Sequence, residues 1–86
     1  MLTEKKPRPD EMRRYFLRMA ARILRTRKKL GWSQAELGRR SGIPQSAISH
    51  AEKGRYDLVG RRVRMFAKAL GVSSDYLLGL TRSPNP

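Results

Sequence analysis

The chain has 86 residues, and its 20 lysines and arginines against 7 aspartates and glutamates give a formal net charge of +13. This length suits one small domain, and a hydrophobic fraction of 38% is too high for a fully disordered chain. Cysteine is absent, which excludes disulfides, thiolate metal sites and a cysteine nucleophile. The charge indicates a polyanionic partner, with nucleic acid the first candidate and an anionic membrane surface the second.

The two ends of the chain differ in composition from the middle. Residues 1–9 combine three basic residues with two prolines, and we predict a flexible basic arm that either contacts the polyanion or stays free. This segment lacks the apolar core of a secretory signal, and no apolar run predicts a membrane span. Residues 81–86 are predicted to form a flexible tail, which leaves residues 10–80 as the folded domain.

The first predicted element is a long helix over residues 10–30. Asp10 suits its N-cap and Gly31 ends it. Apolar residues recur at three- and four-residue steps along it, which is typical of an amphipathic helix. These residues are Met12, Phe16, Met19, Ile23 and Leu30.

Two short helices follow in the centre of the chain. Ser33 and Glu36 form an S-x-x-E capping box, and Trp32 and Leu37 form a hydrophobic staple, so a second helix is predicted to start here. It ends near Ser41. A third helix is predicted from residue 44 or 45 to about residue 53, with a proline in its first turn.

The remaining elements complete an all-α domain. A loop is predicted over residues 55–59 and a fourth helix over residues 60–70. Ser73 caps a last short helix with the sequence SDYLL, which Gly79 closes. No run alternates with the period of a strand, so we predict five helices in a compact all-α fold.

The second and third helices are short and must cross closely to fold. Gly38 supplies a small residue at the crossing, and Gly42 supplies a turn residue that tolerates positive φ. The polar residues that remain outward on the third helix are mostly uncharged, although the chain is very basic. Amides and hydroxyls are the groups that read base edges in the major groove.

The segment LGWSQAELGRRSGIPQSAISHAEKG resembles the helix-turn-helix of the lambda-repressor-like, Cro-type (XRE) family, and FAKALGVSSDYLLG resembles that family's closing helices. The resemblance covers about residues 20–80. It implies a five-helix domain that binds double-stranded operator DNA, usually as a homodimer, in the cytoplasm and nucleoid of a bacterium or in phage infection. Separately, the sequence has no Gly-rich phosphate loop, carboxylate dyad or Ser-His-Asp set, and its single histidine lacks partners for a metal site, so we expect no enzymatic activity, no metal and no cofactor.

The resemblance also implies roles for individual residues. Base contacts would come from the outward face of the third helix, namely Gln45, Ser46, Ser49 and His50. Phosphate contacts would come from the residues around it, namely Ser33, Gln34, Lys53, Arg55, Arg61 and Arg62. The alternative for each of these residues is that it is an ordinary surface residue that contacts only solvent.

Two further expectations concern packing. Arg27 and Glu52 match a pair that in some members forms a partly buried ion pair, and the alternative is an exposed pair of little value. The first helix extends about two turns beyond the usual family start, so its apolar residues need an additional partner. The possible dimer contacts are Met12, Phe16, Tyr76, Leu77 and Leu80, and we include Met19 with the same face.

The sequence therefore predicts a sequence-specific DNA-binding transcriptional regulator that acts as a repressor. The alternative is a protein-interaction module, such as an antitoxin or a factor that docks on the transcription machinery through the extended first helix. A membrane-surface peptide and an RNA-binding domain fit less well, because no continuous amphipathic stripe and no aromatic stacking platform are visible.

Overall fold

The computed structural model describes residues 9–55 and 60–86, and this part of the chain folds into five α-helices without a strand. The all-α prediction and the extended first helix are confirmed. Residues 1–8 of the predicted arm and residues 56–59 of the predicted loop lie outside the described residues. The predicted start of the first helix is wrong by about one residue, because that helix begins at Pro9 and Asp10 lies within it. The helices are α1 (Pro9–Lys29), α2 (Gln34–Ser41), α3 (Gln45–Glu52), α4 (Gly60–Leu70) and α5 (Ser74–Leu78).

The ends of α2 follow from local chemistry. The Ser33 hydroxyl accepts a hydrogen bond from the backbone N–H of Glu36 at 3.0 Å, and Gly42 ends the helix with φ +76°. Only half of the predicted capping box forms. The Glu36 carboxylate accepts hydrogen bonds from Arg39 and Arg40 instead of reaching back to the backbone of Ser33.

The core is built where the helices meet. Met19 and Ile23 of α1 are 1% and 0% exposed, and they pack with residues from every other helix. Phe16 is partly buried against the same cluster. The other large, fully buried side chains are Leu37, Ile43, Ile48, Val63, Phe66 and Leu77.

This packing corrects two expectations about a dimer surface. Met19 lies inside the domain, so it is a core residue and is not part of an interface. Leu77 of α5 is 1% exposed, and its side chain is not available to a second subunit. Leu80 remains 73% exposed, and Tyr76 is half-buried. The side chain of Met12 lies outside the described part.

The additional turns of α1 find their partner at the end of α3. Gly54 has φ +65°, and a Cβ placed on it would lie 3.3 Å from the backbone of Leu17. The helix backbone therefore passes directly over the turn that ends α3. Any larger residue at position 54 would meet both a strained backbone conformation and this close contact.

The C-terminal residues make contacts that the sequence did not predict. Arg22 of α1 donates hydrogen bonds to the backbone carbonyls of Tyr76 and Thr81, and its guanidinium stacks 4.5 Å from the centre of the Tyr76 ring. The backbone N–H of Ser73 donates to the carbonyl of Pro84 at 3.0 Å. The flexibility of residues 81–86 stays a prediction, but this segment does touch the domain.

A pair of substitutions in α1 tests its place in the core. We expect Met19→Ala to lower the free energy of unfolding by about 2–5 kcal/mol, because it leaves a cavity in a packed core. Tyr15→Ala, at a side chain that is 40% exposed, should cost clearly less. Urea denaturation of both variants measures the difference, and similar losses would contradict this placement of α1.

Candidate nucleic-acid interface

The orientation of α3 is set by its buried side. Ile48 and Ala51 are 0% and 1% exposed and face the core. On the other side Gln45, Ser46 and His50 are exposed, and Ser49 is half-buried. The structure therefore brings the four predicted base-contacting residues together on the outward side of one helix, where amide, hydroxyl and imidazole groups face solvent.

The close crossing of α2 and α3 depends on Gly38. A Cβ at this position would lie 3.1 Å from the backbone oxygen of Ile43 and 3.6 Å from the Ile48 side chain. Even the single methyl group of an alanine would therefore be closer to Ile43 than most Cβ atoms are to their neighbours. The absence of a side chain here lets the turn before α3 pass close to the backbone of α2 and lets the Ile48 side chain pack against it.

Cations flank the polar row of α3. Lys53 and Arg55 are exposed just beyond its C-terminal end, and Arg61 is exposed in the first turn of α4. An open cleft between α3 and α4 is lined by Ser46, His50, Arg61 and Arg62 together with apolar residues. Two predicted base contacts, Ser46 and His50, and two predicted phosphate contacts, Arg61 and Arg62, thus line the same cleft.

Arg27 and Glu52 form a bidentate ion pair between α1 and α3. Arg27 Nε lies 2.6 Å from Glu52 Oε2, and Arg27 Nη2 lies 3.0 Å from Glu52 Oε1. The two side chains are only 11% and 4% exposed, so the ion pair is buried and is not the exposed pair of little value. The hydrogen bond to Glu52 raises the pKa of Arg27 above its ordinary value, against the lowering effect of burial.

A third residue joins this pair. Gln34, the first residue of α2, donates a hydrogen bond from Nε2 to Glu52 Oε1 at 2.9 Å. Arg27 also donates from Nη1 to the backbone oxygen of Trp32 at 2.7 Å. Sequence reasoning predicted the ion pair and a separate role for Gln34, but no spacing signal connected position 34 with position 52.

A second charged cluster lies on the exposed side of α2. Glu36 accepts hydrogen bonds from Arg40 and Arg39, which lie four and three residues further along α2. These bonds lower the pKa of the Glu36 carboxyl. The Arg40 guanidinium also stacks 4.3 Å from the centre of the Trp32 ring. Trp32 thus has a cation–π contact that the staple prediction missed, while it also packs on the core.

The described residues also bear on metal binding and membrane insertion. Within residues 9–55 and 60–86, no three histidine, cysteine or acidic side chains are grouped as metal ligands would be. None of the helices in that part has the length and apolar composition needed to cross a bilayer.

Comparison of the sequence with models of known protein families shows the family to which the chain belongs. A model of the helix-turn-helix family matches residues 23–77, which is more than half of the chain. The chain therefore belongs to the helix-turn-helix family, and the resemblance seen in the sequence is confirmed.

Two proteins of known source are similar to this chain in sequence. The chain is 37% identical over 71 residues to a hypothetical transcription factor of Neisseria meningitidis serogroup B, covering 81% of this chain and 65% of the relative. It is 42% identical over 60 residues to repressor protein C2 of Salmonella phage P22, covering 70% of this chain and 28% of the relative. The chain thus spans less than two thirds of the length of either relative.

Solved structures agree with the fold. The Neisseria transcription factor NHTF superposes with a TM-score of 0.70 at 29% identity, over 91% of this chain and 86% of that one. The P22 c2 repressor, in complex with a synthetic operator, has a TM-score of 0.65 at 41% identity, over 69% and 89%. The restriction-modification controller C.AhdI of Aeromonas hydrophila, with a TM-score of 0.69 over 72% and 94%, is 24% identical and shows the fold alone.

The Glu36 cluster generates a prediction about pH. Because its folded-state pKa is lowered from 4.5, Glu36 stabilises the fold above that value, and the contribution is lost as the pH falls through the lower folded-state pKa. We expect Glu36→Gln to be less stable than the parent at neutral pH and to approach it in strong acid. Thermal unfolding across this range measures the difference, and a constant gap at every pH would contradict the assignment.

Proposed function

We propose that this protein binds double-stranded DNA sequence-specifically as a transcriptional regulator, with α3 lying in the major groove. The observation that carries the proposal is the polar row of α3, held outward by Ile48 and Ala51 and flanked by cations. Its relationship to the P22 c2 repressor, which was crystallised with a synthetic operator, supports the same assignment and favours repression.

Affinity and specificity would come from different groups. Lysines and arginines that neutralise phosphates release counterions, so they strengthen binding to any duplex and make it salt-dependent. Gln45 can pair with both hydrogen-bonding groups of adenine in the major groove, and the neighbouring hydroxyls and imidazole can contact adjacent bases. Ser33 and Gln34, at the N-terminus of α2, would contact a phosphate.

A homodimer follows from the size of α3. A helix of eight residues reads only a few base pairs, and a two-fold pair on half-sites about one helical turn apart doubles the sequence that is read. Of the residues predicted to form the dimer surface, Leu80 and Tyr76 remain accessible enough to contribute. Such a regulator would act in the cytoplasm, at the nucleoid. It would need no cofactor and no enzymatic activity.

The extended first helix motivated the alternative of a protein-interaction module. In the structure part of that extension is covered within the domain: Leu17 lies over Gly54, and Phe16 packs on the core, while Tyr15 and Leu17 are still 40% and 42% exposed. The relatives also favour a DNA-binding regulator over this alternative.

Selection from a random pool of DNA duplexes, read at two salt concentrations, tests the proposal directly. We expect one enriched motif with two related half-sites, bound more weakly at the higher salt concentration. Recovery of no motif at either concentration would refute sequence-specific binding.

Two single substitutions test the division of labour. Gln45→Ala should weaken binding to the selected duplex by about 1–3 kcal/mol and leave binding to random duplexes nearly unchanged. Arg61→Ala is the matched control, because it removes a charge outside the polar row: it should weaken both and reduce the salt dependence. Titrations in which the two variants behave alike would contradict these roles.

A further inference from the structure

We propose that Glu52 is a positioning residue that, held by Arg27, orients the Gln34 side chain for its contact with a DNA phosphate. This inference rests on the proposed function and adds to it a link between a phosphate contact on α2 and the base-reading helix α3. The structure supports the link through one chain of hydrogen bonds that ends at the predicted interface.

The chain starts at a carboxylate that is held in place. Both oxygens of Glu52 are engaged, Oε2 by Arg27 and Oε1 by Arg27 and Gln34, and its side chain is 4% exposed. Arg27 is held in turn by its third bond, to the backbone oxygen of Trp32, the residue before the N-cap of α2. The two side chains thus have a single arrangement fixed by α1, α3 and the turn between α1 and α2.

The chain ends at the Gln34 amide. One N–H of Nε2 is used by Glu52 at 2.9 Å, while the second N–H and the amide oxygen make no hydrogen bond within the described part of the chain. A glutamine without such a bond samples many rotamers and loses that freedom when it contacts a ligand. Here the freedom is already lost in the free protein, so a contact made by the second N–H costs less entropy.

The position of Gln34 gives that second N–H a target. Gln34 is the first residue of α2, where unpaired backbone N–H groups and the helix dipole favour an anion. The neighbouring Ser33 hydroxyl already accepts from Glu36 and has its own O–H to donate. The amide would add a donor whose value depends on direction, because it is neutral and acts only at short range.

This dependence on direction separates Gln34 from the flanking arginines. Arg61 is exposed and makes no ion pair or hydrogen bond in the described part of the chain, so it acts on phosphates through its charge. Its contribution should not depend on Glu52. That contrast supplies a control for an effect of Glu52 on the fold or on α3 as a whole.

The experiment is a double-mutant cycle on binding to a random-sequence DNA duplex at low salt. The four proteins are the parent, Gln34→Ala, Glu52→Gln and the double variant. Glu52→Gln preserves the side-chain volume but replaces one acceptor oxygen with an NH2 group, which cannot accept a hydrogen bond from Gln34 Nε2. Gln34 must then share the remaining oxygen with Arg27 or turn its own amide oxygen towards the new NH2 group, so its Nε2 loses the orientation seen in the parent. We expect Gln34→Ala to weaken binding about three- to tenfold in the parent and less than about twofold in the Glu52→Gln protein.

Further measurements separate positioning from stability. The cycle is repeated with Arg61→Ala, which should lose the same affinity in both backgrounds. It is also repeated in Leu77→Ala, a core variant in which Gln34→Ala should keep its full effect despite the lower stability. Circular dichroism fixes a temperature at which all variants are folded, and the side-chain amide NMR signals of Gln34 in the free protein should move in Glu52→Gln.

The possible outcomes are distinct. An equal penalty for Gln34→Ala in both backgrounds, or no penalty in the parent, would overturn the positioning role while DNA binding by the parent stood. Unmoved Gln34 amide signals in Glu52→Gln would overturn it as well. If the parent bound no duplex at all, the proposed function itself would fail, and the inference would fail with it.

Discussion

The close crossing of α2 and α3 is the constraint on which the rest of the structure depends. Gly38 lets the backbone oxygen of Ile43 approach to a distance at which a methyl group would be crowded. With the helices this near, Ile48 and Ala51 reach the core from one side of a helix of only eight residues. The polar side of the same helix therefore faces solvent. Its first turn lies beside Arg61 and Arg62 of α4.

A buried ion pair is a costly way to hold helices together, because both charges lose their hydration. In this domain Arg27 and Glu52 recover that cost partly through additional bonds, to a backbone carbonyl and to Gln34. Hydrophobic packing alone could join α1 to α3, but it would not place a polar group at the N-terminus of α2. The geometry therefore suits orientation better than it suits stability.

Much of this could be predicted from the sequence because local signals agreed with each other. Glycines after periodic apolar segments located the helix ends, and Ser33 and Ser73 located two helix starts to the residue. Contacts between distant segments were harder. The burial of Leu77 and Met19 depended on how α1 and α5 pack, and the bond between Gln34 and Glu52 joins residues that no local pattern relates. The same holds for the contact of Leu17 with Gly54, which needs the three-dimensional path of α1.

The division of α3 into two sides has a consequence for how such a domain diversifies. Its inward residues, Ile48 and Ala51, carry the packing, whereas the side chains of Gln45 and Ser46 are exposed on the opposite side. New preferences could therefore arise by exchanging the outward set, one codon at a time, without rebuilding the scaffold. Glu52 marks the limit of this freedom, since it sits on the same helix but is tied to two others.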